Sequence, residues 1–414
     1  MKRYELWQNS WDRTQEPVSI ELPDSWDVVF HDMPANHMPA MTQEQIREKL
    51  AAPIGAETIR GMAEKGHHAV IVFDDLSRGT PTQEIAEIVI GELLAGGIRE
   101  ENIFFLCALG THAPLTQADF AVKLGWDLVE RFPVYNHDCH SHCKEIGKDR
   151  EGKPIEINEA FLACDVRIGI GSVSPHPMNG YGGGGKLLFP GLASLRTTAA
   201  NHGRLEYGFL GSQETCGLRE DINAGTRLAG QFFVIDAILN ARHEIVDLFC
   251  GDPLLEHRAA MEASSRAHAM EYAGARDIVI SNSNTKSDEP FSSKRVSSMS
   301  AKPGGDWVII AHNPAGELFH QLKGQSSPWY GGPLYKPHEK RKKLPFGRVI
   351  FYTPHPSMYT KLACDEPEKL VFAKTWDEVL ALLREKYPER ASVSIFSDGC
   401  IGYFPEKVKE AERK

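Results

Sequence analysis

A glycine-rich segment that ends in a lysine is the first feature of this sequence that could carry chemistry. Its four consecutive glycines are Gly182, Gly183, Gly184 and Gly185, and Lys186 follows them directly. Because glycine has no side chain, the backbone here can approach a ligand and turn its N–H groups towards an anion. The stretch 180–186 has the spacing of a phosphate-binding P-loop, but Leu187 replaces the metal-binding hydroxyl and Pro190 would interrupt the helix. We therefore predict a ligand-binding loop that presents an amine.

Two further groups of polar residues directly follow predicted strands. Asp75 and Arg78 come after an apolar run that ends at Asp74, and His112 follows a second run that ends at Ala108. The carboxyl ends of parallel strands meet at one edge of a sheet, where open α/β folds bind ligands. Arginine offers a planar fork for a carboxylate or phosphate, and histidine can transfer protons near neutral pH. These residues therefore mark a candidate site at that edge.

The elements that would position these residues alternate along the chain. Apolar runs predict buried strands at 69–74, 103–108, 166–170, 232–235, 278–280, 307–311, 349–352 and 392–396. Nearly continuous apolar strands are typical of a parallel sheet that is covered on both faces. After the first strand, Thr80 and Gln83 predict a capping box with Pro81 at the first helical position, and Gly96 ends the helix. The pattern therefore predicts an α/β fold.

A change in sequence pattern near 251–276 suggests a domain boundary. Helical, alanine-rich sequence over 255–273 precedes a fresh strand at 278. We expect a first domain over 1–270, a second over 271–400, and a tail over 401–414 that could return to the first domain. The Gly-, Pro- and Ser-rich stretch 314–344 is predicted to be a long loop or lid, in which Trp329 and Tyr330 most simply pack at the surface.

Composition excludes several classes of protein. Hydrophobic residues make up 42% and charged residues 25% of the 414 residues, which excludes disordered, collagen-like and coiled-coil chains. The net charge of −10 favours neither a nucleic-acid surface nor an anionic membrane surface. No apolar stretch follows the N-terminal cations, and the longest apolar runs are too short to cross a bilayer. Eight cysteines are too sparse for a disulfide scaffold, so we expect a cytoplasmic globular protein.

Taken together, the polar segments resemble those of the nickel-dependent lactate racemase family. The matching segments are Asp-Asp-Leu-Ser-Arg at 74–78, Gly-Thr-His at 110–112, Pro-His at 175–176, Gly-Tyr-Gly-Gly-Gly-Gly-Lys at 180–186, Pro-Gly at 190–191 and Asn-His at 201–202. No single motif decides the match, but the order and spacing agree. The resemblance implies two Rossmann-like α/β domains with largely parallel sheets and an active-site cleft between them.

The resemblance also implies a cofactor, the nickel-pincer nucleotide. This is nickel pyridinium-3,5-bisthiocarboxylic acid mononucleotide, in which two sulfur atoms and a ring carbon bind the metal. Lys186 would hold it covalently through a thioamide, and the four glycines before Lys186 would line it. His202, placed just beyond a helix predicted over 192–200, would supply the protein ligand, since imidazole suits square-planar Ni(II). Cofactor-biosynthesis proteins are then expected partners.

The activity that the resemblance implies is racemisation or epimerisation of a 2-hydroxy acid by reversible hydride transfer. His112 and His176 match the two histidines that flank the substrate as acid/base groups, while Asp75 and Arg78 match residues near the cofactor and substrate. Loss of a hydride together with the hydroxyl proton gives a neutral ketone and avoids a carbanion beside a carboxylate. Inversion then needs one base for each orientation of the substrate, which explains the two histidines.

The sequence departs from the family where the substrate-contacting part of the second domain would begin. Lactate racemases carry Tyr-Gln and a downstream Lys there, but neither aligns cleanly with the segment 288–299 of this chain. Lys294 is the best candidate to bind the substrate carboxylate, followed by Arg295, although both residues could be simple surface cations. A larger or more polar 2-hydroxy acid, such as a malate-like or sugar acid, is therefore at least as good an expectation as lactate.

Three alternatives stay open from the sequence. The stretch 182–186 could be the anion cradle of a nucleotide- or phosphate-dependent transferase, against which Leu187 argues. A non-enzymatic nickel or nucleotide carrier would keep the pocket, but it would not need both His112 and His176. The cluster from His137 to Cys143 could bind zinc, although its spacing fits no established pattern. The substrate, the preferred direction and the oligomeric state are left open.

Overall fold

The computed structural model describes residues 1–8, 16–204, 206–322 and 343–413. Most of the predicted lid, with Trp329 and Tyr330, therefore lies outside the described residues. The described chain forms two compact units. The first unit, called here the site unit, contains residues 38–266 and 319–322, and the second contains the described parts of 1–37, 267–318 and 343–413. No helix in this described part is long and apolar enough to cross a membrane.

Strands and helices alternate through both units, as the apolar pattern predicts. The strands are β1 (Lys2–Leu6), β2 (Val18–Leu22), β3 (Asp27–His31), β4 (Ala69–Asp74), β5 (Ile103–Ala108), β6 (Val134–Asn136), β7 (Cys143–Lys148), β8 (Pro154–Asn158), β9 (Val166–Ser172), β10 (Pro175–His176), β11 (Gly180–Tyr181), β12 (Phe233–Leu239), β13 (Ile245–Gly251), β14 (Arg276–Asn282), β15 (Ala301–Ile310), β16 (Arg348–Tyr352), β17 (Leu370–Ala373) and β18 (Ser392–Phe396). The α-helices are α1 (Gln43–Ala51), α2 (Ile59–Ala63), α3 (Thr82–Ala95), α4 (Gln117–Leu124), α5 (Trp126–Arg131), α6 (Glu159–Leu162), α7 (Leu195–Gly203), α8 (Gly217–Ala229), α9 (Leu255–Ala267), α10 (Lys294–Met299), α11 (Met358–Ala363), α12 (Trp376–Lys386) and α13 (Pro405–Glu412).

The site unit is built on a six-stranded sheet with the order β13-β12-β9-β4-β5-β6. Its pairs are parallel except for β12 with the edge strand β13. Along β4, Ile71 and Phe73 enter one apolar cluster together with Ile85 of α3, while Val70 and Val72 enter a cluster on the other face. Both faces of the sheet are therefore covered, which confirms the predicted α/β class with parallel strands.

The second unit has an all-parallel sheet with the order β17-β16-β15-β14-β18-β3. Its edge strand β3 lies outside the predicted second domain, so the predicted first domain over 1–270 needs correction at its N-terminal end. The physical reason is burial, because Ile20, Leu22 and Trp26 pack into the same apolar cluster as Ile278. The tail also stays in this unit, where the N–H of Met270 donates to the carbonyl of residue 403.

The start of α3 differs from the predicted capping box. The helix begins at Thr82, and Pro81 at the cap position makes no side-chain cap hydrogen bond. The hydroxyl of Thr80 instead lies 2.5 Å from Asp74 Oδ2 and 3.0 Å from Ser172 Oγ. Hydrogen bonds to an ionised carboxylate are stronger than those to a backbone amide. The Thr80 hydroxyl therefore binds Asp74 and does not cap a backbone N–H at the start of α3.

Candidate active site

The three predicted site segments follow three neighbouring strands of the site unit, β9, β4 and β5. They are joined directly by hydrogen bonds. The hydroxyl of Thr80 contacts Ser172 at the end of β9, as described above, and the N–H of Gly110 donates to the carbonyl of Gly191 at 2.8 Å. The N–H of Gly191 in turn donates to the carbonyl of Lys186 at 3.1 Å. The structure thus brings the turns after β4 and β5 and the glycine-rich loop to one edge of the sheet.

Asp75 and His112 form a buried carboxylate–imidazole pair. The His112 Nδ1 lies 2.6 Å from Asp75 Oδ2, and the two side chains are 17% and 6% exposed. The other oxygen of Asp75 accepts the N–H of Ser77 at 3.0 Å and its hydroxyl. Burial opposes ionisation of Asp75, but the His112 ring and the Arg78 guanidinium outweigh it and hold the pKa of this carboxyl well below its usual range. An ionised Asp75 therefore fixes the proton of His112 on Nδ1 and leaves Nε2 as the basic atom.

Lys123 is a positioning residue that the sequence analysis missed. Its side chain is fully buried, and its Nζ lies 2.5 Å from Asp74 Oδ1, 3.1 Å from the Arg78 carbonyl and 3.0 Å from the Thr80 carbonyl. These bonds tie together both ends of the turn that carries the candidate site residues. Breaking a buried ion pair by removing one partner leaves the other charge uncompensated, at a typical cost of ~3–5 kcal/mol. The turn after β4 is therefore held by an internal cation.

His176 and Lys186 are in contact on the glycine-rich segment. His176 lies on β10, which pairs with β11 across this segment, and its Nε2 is 3.1 Å from Lys186 Nζ. The N–H of Met178 donates to His176 Nδ1 at 3.2 Å. A neutral His176 ring therefore carries its proton on Nε2, the nitrogen that faces the lysine.

The glycines of the loop are required chiefly by contacts inside the protein. Only Gly182 has room for a side chain, because the nearest atom to an added Cβ there is 3.6 Å away. A Cβ on each of the other three would come within 2.8 Å of a protein side chain, namely Asp236 for Gly183, His257 for Gly184 and Thr226 for Gly185. At three of the four positions, the glycine is therefore required because the protein's own side chains fill the space of a Cβ, and the role of the four glycines in lining a ligand stays a prediction.

Two N–H groups of the loop that could have bound an anion have acceptors inside the protein. The N–H of Gly182 donates to the carbonyl of Ser174 at 2.8 Å, and that of Gly184 donates to Asp236 Oδ2 at 2.6 Å. A short 3-10 helix over Gly184–Leu187 follows, rather than an α-helix whose N-terminus could bind phosphate. The phosphate-transferase alternative therefore has no support from the backbone here.

Two buried ionisable residues, Asp236 and Arg219, bond the backbone of the loop, and a third, Glu256, is buried as well. Burial raises the pKa of Asp236, the acceptor for Gly184, to about 7, and it raises the pKa of Glu256 well above its usual range. Arg219, which is also buried, donates to the carbonyl of Gly183 at 3.3 Å. Lys186 is consequently carried on a turn whose backbone is anchored in the protein interior.

His202 lies in the last turn of α7, so this helix extends beyond its predicted end at 200. Its Nδ1 is 3.1 Å from Asn201 Oδ1, and Asn201 Nδ2 donates to the buried Asp221 at 3.0 Å. This chain of carboxylate, amide and imidazole fixes the His202 proton on Nδ1. Metal-binding histidines are commonly oriented by such an acceptor on the nitrogen that does not bind the metal.

A third histidine, His320, contacts the candidate site and was not predicted. Its ring lies against that of His112, with centroids 5.1 Å apart and an angle of 63° between the ring planes. No local pattern indicates this contact, because His320 lies within the stretch predicted to be a loop and far along the chain from β5.

Comparisons of the whole sequence with known proteins find similarity to lactate racemases. Residues 14–208 match the family model described as the lactate racemase N-terminal domain. A lactate racemase of Thermoanaerobacterium thermosaccharolyticum is 26% identical over 307 residues, which cover 71% of this chain and 72% of that protein. One of Lactiplantibacillus plantarum is 24% identical over 393 residues, which cover 88% of this chain and 91% of that protein.

The chain resembles the lactate racemase family. Its homologues are isomerases. The fold resembles the structure of the lactate racemase apoprotein from Thermoanaerobacterium thermosaccharolyticum, with a TM-score of 0.73, 20% identity and coverage of 97% of this chain and 100% of that chain. A crystal structure of a protein from Thermotoga maritima is similar at a TM-score of 0.62 and 17% identity, over 87% of this chain and 97% of that chain. At these identities the two structures support the fold alone.

The two predicted substrate cations lie in the second unit, on α10. Lys294 forms an ion pair with Asp365, and burial lowers the pKa of Arg295. Neither residue belongs to the unit that contains Lys186 and His112. Their roles in substrate binding stay predictions.

Two histidines of the cluster at 137–143 make structural contacts within the site unit. The ring nitrogens of His137 contact the Ala193 carbonyl at 3.0 Å and Asn158 at 3.1 Å, and burial lowers its pKa to about 4. His140 Nε2 lies 2.6 Å from Gln321 Oε1. Within the described ranges, no three His, Cys, Asp or Glu side chains are grouped so that they could hold a metal ion. We therefore assign His137 to packing of the site unit.

Proposed function

We propose that this chain is a racemase or epimerase of a 2-hydroxy acid that works by reversible hydride transfer to a nickel-pincer nucleotide tethered to Lys186. His112 and His176 are its acid/base groups. The observation that carries the proposal is the 3.1 Å contact between Lys186 Nζ and His176 Nε2, since it places the amine beside an acid/base side chain. Similarity to lactate racemases supports the isomerase class and a small hydroxy-acid substrate.

The environment of Lys186 fits a covalent tether. His176 Nδ1 accepts the N–H of Met178, so the proton of a neutral ring is on Nε2. This Nε2 atom lies 3.1 Å from Lys186 Nζ, so the amine has a neighbour that can exchange protons with it. A lysine must lose a proton before it makes a covalent bond to carbon. The contact thus supports Lys186 as the point of attachment.

The environment of His202 fits a nickel ligand. Its Nδ1–H is directed to Asn201, and Asn201 is itself held by Asp221. This arrangement leaves Nε2 as the nitrogen that would bind the metal, and an acceptor on Nδ1 increases the basicity of Nε2. One imidazole is sufficient, because the cofactor brings the remaining ligands with it.

When bound, the cofactor would supply an electrophilic centre that accepts hydride from the substrate Cα. The chain's own residues would then handle the proton and the carboxylate. His112 Nε2 accepts the proton of the substrate hydroxyl, and Asp75 stabilises the imidazolium that results. Arg78 binds the substrate carboxylate, with its NH1 oriented by the carbonyl and hydroxyl of Ser77, both at 2.9 Å.

The pairing of Asp75 with His112 also favours an enzyme over a nickel or nucleotide carrier. A carrier needs a metal ligand and an anchor, but it does not need an imidazole whose basic nitrogen is set by a buried carboxylate. We further propose that the chain works in the cytoplasm, where cofactor-biosynthesis proteins would load Lys186.

The test of the function is inversion of chiral 2-hydroxy acids by protein produced together with the cofactor-biosynthesis pathway. We expect at least one acid from a panel of lactate, malate, glycerate and gluconate to be inverted, as measured by chiral chromatography. Protein produced without the pathway should be inactive. A loaded protein that inverts no member of the panel would argue against the proposal, as would magnesium-dependent phosphoryl transfer from ATP.

Substitution of His202 tests the metal site separately. His202→Ala should deplete nickel, measured by inductively coupled plasma mass spectrometry, while the intact protein mass retains the adduct on Lys186. Nickel should be lost because the variant lacks the proposed imidazole ligand, whereas the adduct should stay because Lys186 is unchanged. The exposed histidine variant His67→Ala should keep the wild-type nickel content. Full nickel retention in His202→Ala would show that another residue binds the metal.

A further inference from the structure

The C-terminal end of α7, where His202 lies, is held by Arg204, the residue that directly follows the helix. The Arg204 guanidinium donates from NH1 to Asp221 Oδ2, on α8, and from NH2 to Asp149 Oδ2. Asp149 lies in the turn between β7 and β8, and its other oxygen accepts two backbone N–H groups of that turn, both at 2.9 Å. One side chain thus joins the end of α7 to a second helix and to a turn of the site unit.

The three side chains of this cluster are almost completely removed from water. Their exposed fractions are 5% for Arg204, 2% for Asp221 and 7% for Asp149. A planar guanidinium presents its N–H donors in a fixed geometry and can bind two carboxylates at once, and hydrogen bonds between ionised groups are strong. Arg204 therefore restrains the position of Asp221 more firmly than an exposed ion pair would.

Asp221 in turn sets the orientation of Asn201, the residue beside His202. The oxygen that binds Arg204, Oδ2, also accepts Asn201 Nδ2 at 3.0 Å. A carboxylate can only accept hydrogen bonds, so the amide directs its NH2 group to Asp221 and its oxygen to the ring, where Oδ1 lies 3.1 Å from His202 Nδ1. The position of the proton on His202 thus depends on a carboxylate that Arg204 holds.

A second arginine, Arg150, also lies near Asp221, but its surroundings differ from those of Arg204. Its Nε is 3.4 Å from Asp221 Oδ1, the oxygen that does not contact Asn201, and its side chain is 37% exposed. It also donates to Glu206. Two cations therefore favour the ionised form of Asp221, and Arg204 is the buried one that shares an oxygen with Asn201.

We propose that Arg204 is a positioning residue of the nickel site, which acts through Asp221 and Asn201 to hold the His202 proton on Nδ1 and the metal-binding lone pair on Nε2. The inference rests on the proposed function, because it takes His202 as the protein ligand to nickel. Replacing residues that orient a metal-binding histidine typically lowers metal affinity by about 10–100-fold. The role requires no contact between Arg204 and the metal.

The tautomer of His202 can be measured in protein that carries no cofactor. Nitrogen-15 NMR at about pH 8, where an ordinary imidazole is neutral, distinguishes a proton on Nδ1 from one on Nε2. The signals that are absent from His202→Ala identify the ring. We expect the wild-type proton on Nδ1. Arg204→Lys keeps the positive charge but lacks the planar fork, so it should raise the Nε2–H fraction roughly fivefold, the factor expected for one lost hydrogen bond.

Nickel affinity is the second measurement, made on protein produced with the cofactor pathway. Arg204→Lys and Arg204→Gln should bind nickel about tenfold or more weakly in competition with a chelator, while intact mass shows that the adduct on Lys186 remains. The matched control Arg196→Gln removes an exposed arginine of the same helix, whose ion pair is with Glu156. It should keep the wild-type tautomer and the wild-type nickel affinity.

The outcomes separate this inference from a structural role and from the proposed function. A wild-type His202 with its proton on Nε2 would overturn it, as would a folded Arg204→Lys that keeps either the wild-type tautomer or the wild-type nickel affinity, even with a lower thermal unfolding midpoint. If Arg204→Gln does not fold, because two buried carboxylates have lost their cation, Arg204→Lys decides the question. Wild type that carries neither adduct nor nickel would overturn the proposed function, whereas the tautomer in cofactor-free protein would still show whether Arg204 orients His202.

Discussion

Replacing His112 by alanine is expected to lower kcat for inversion by about 10²–10⁴-fold, the usual contribution of general acid–base catalysis. The reason is that Asp75 holds the His112 proton on Nδ1, at a distance of 2.6 Å, and so makes Nε2 the base for the substrate hydroxyl. Alanine removes that base, whereas the loop that carries Lys186 is anchored elsewhere. Chiral assays measure the activity, and intact mass should show that the cofactor adduct persists.

Substitution of Asp75 by asparagine keeps the His112 ring but removes the carboxylate that sets its tautomer. The amide can donate to His112 Nδ1, which would favour the tautomer with its proton on Nε2 and thus remove the basic atom. We expect a loss of kcat of the same order as for His112→Ala, with KM less affected. The control His68→Ala, at an exposed histidine, should keep the wild-type activity.

If His112→Ala instead keeps its activity within about twofold of wild type, His112 is not the essential base.

Replacing Lys186 by alanine is expected to abolish both the mass adduct and the inversion of substrate. The side chain amine is the proposed point of attachment, and no other group can restore the covalent bond. Lys186→Arg should also fail, because a guanidinium keeps the positive charge but is far less nucleophilic than an amine. Intact-protein mass spectrometry of protein made with the cofactor pathway provides the measurement.

The fold should survive the loss of Lys186. The backbone of the loop is held by the bond from the Gly184 N–H to Asp236 and by Arg219, neither of which involves the lysine side chain. The thermal unfolding midpoint of Lys186→Ala should therefore stay close to that of wild type. Lys144→Ala, at an exposed lysine on β7, should retain both adduct and activity. A wild-type adduct in Lys186→Ala would place the tether on another residue.

The strands that hold the site could be predicted because each is a continuous apolar run. The predicted bounds 69–74, 103–108 and 392–396 match β4, β5 and β18. By contrast, β3 joins a sheet whose other strands come hundreds of residues later, so nothing in the local pattern indicates its partner. The prediction of a capping box was wrong for a related reason. The Thr80 hydroxyl that the box requires donates to the carboxylate of Asp74 instead.

The residues that support the site were harder to predict than those proposed to act in it. Asp75, His112 and Lys186 each lie shortly after an apolar strand or in a conspicuous glycine run. One local feature of the sequence indicates that Lys123 is buried. It lies on the same face of α4 as Phe120 and Leu124, which are both buried. A lysine at such a position requires a buried anionic partner, but the sequence does not show that Asp74 is that partner.

Asp236 and His320 have no comparable local signal. Asp236 lies in the middle of the apolar strand β12, and its role depends on the N–H of Gly184, more than fifty residues earlier in the chain. His320 depends in the same way on the contacts of the segment 319–322 with Thr111 and His112. Such long-range contacts become visible only once the backbone has been placed.

The fate of hydrogen at Cα tests the mechanism most directly. Enantiopure substrate with deuterium at Cα would be inverted by the loaded enzyme in ordinary water, and the product of opposite configuration would be analysed by mass spectrometry. Reversible hydride transfer, with His112 and His176 moving only the hydroxyl proton, predicts that the inverted product keeps its deuterium. Complete replacement of the label by solvent hydrogen would contradict the account, because it would mean that a base removes the Cα hydrogen as a proton.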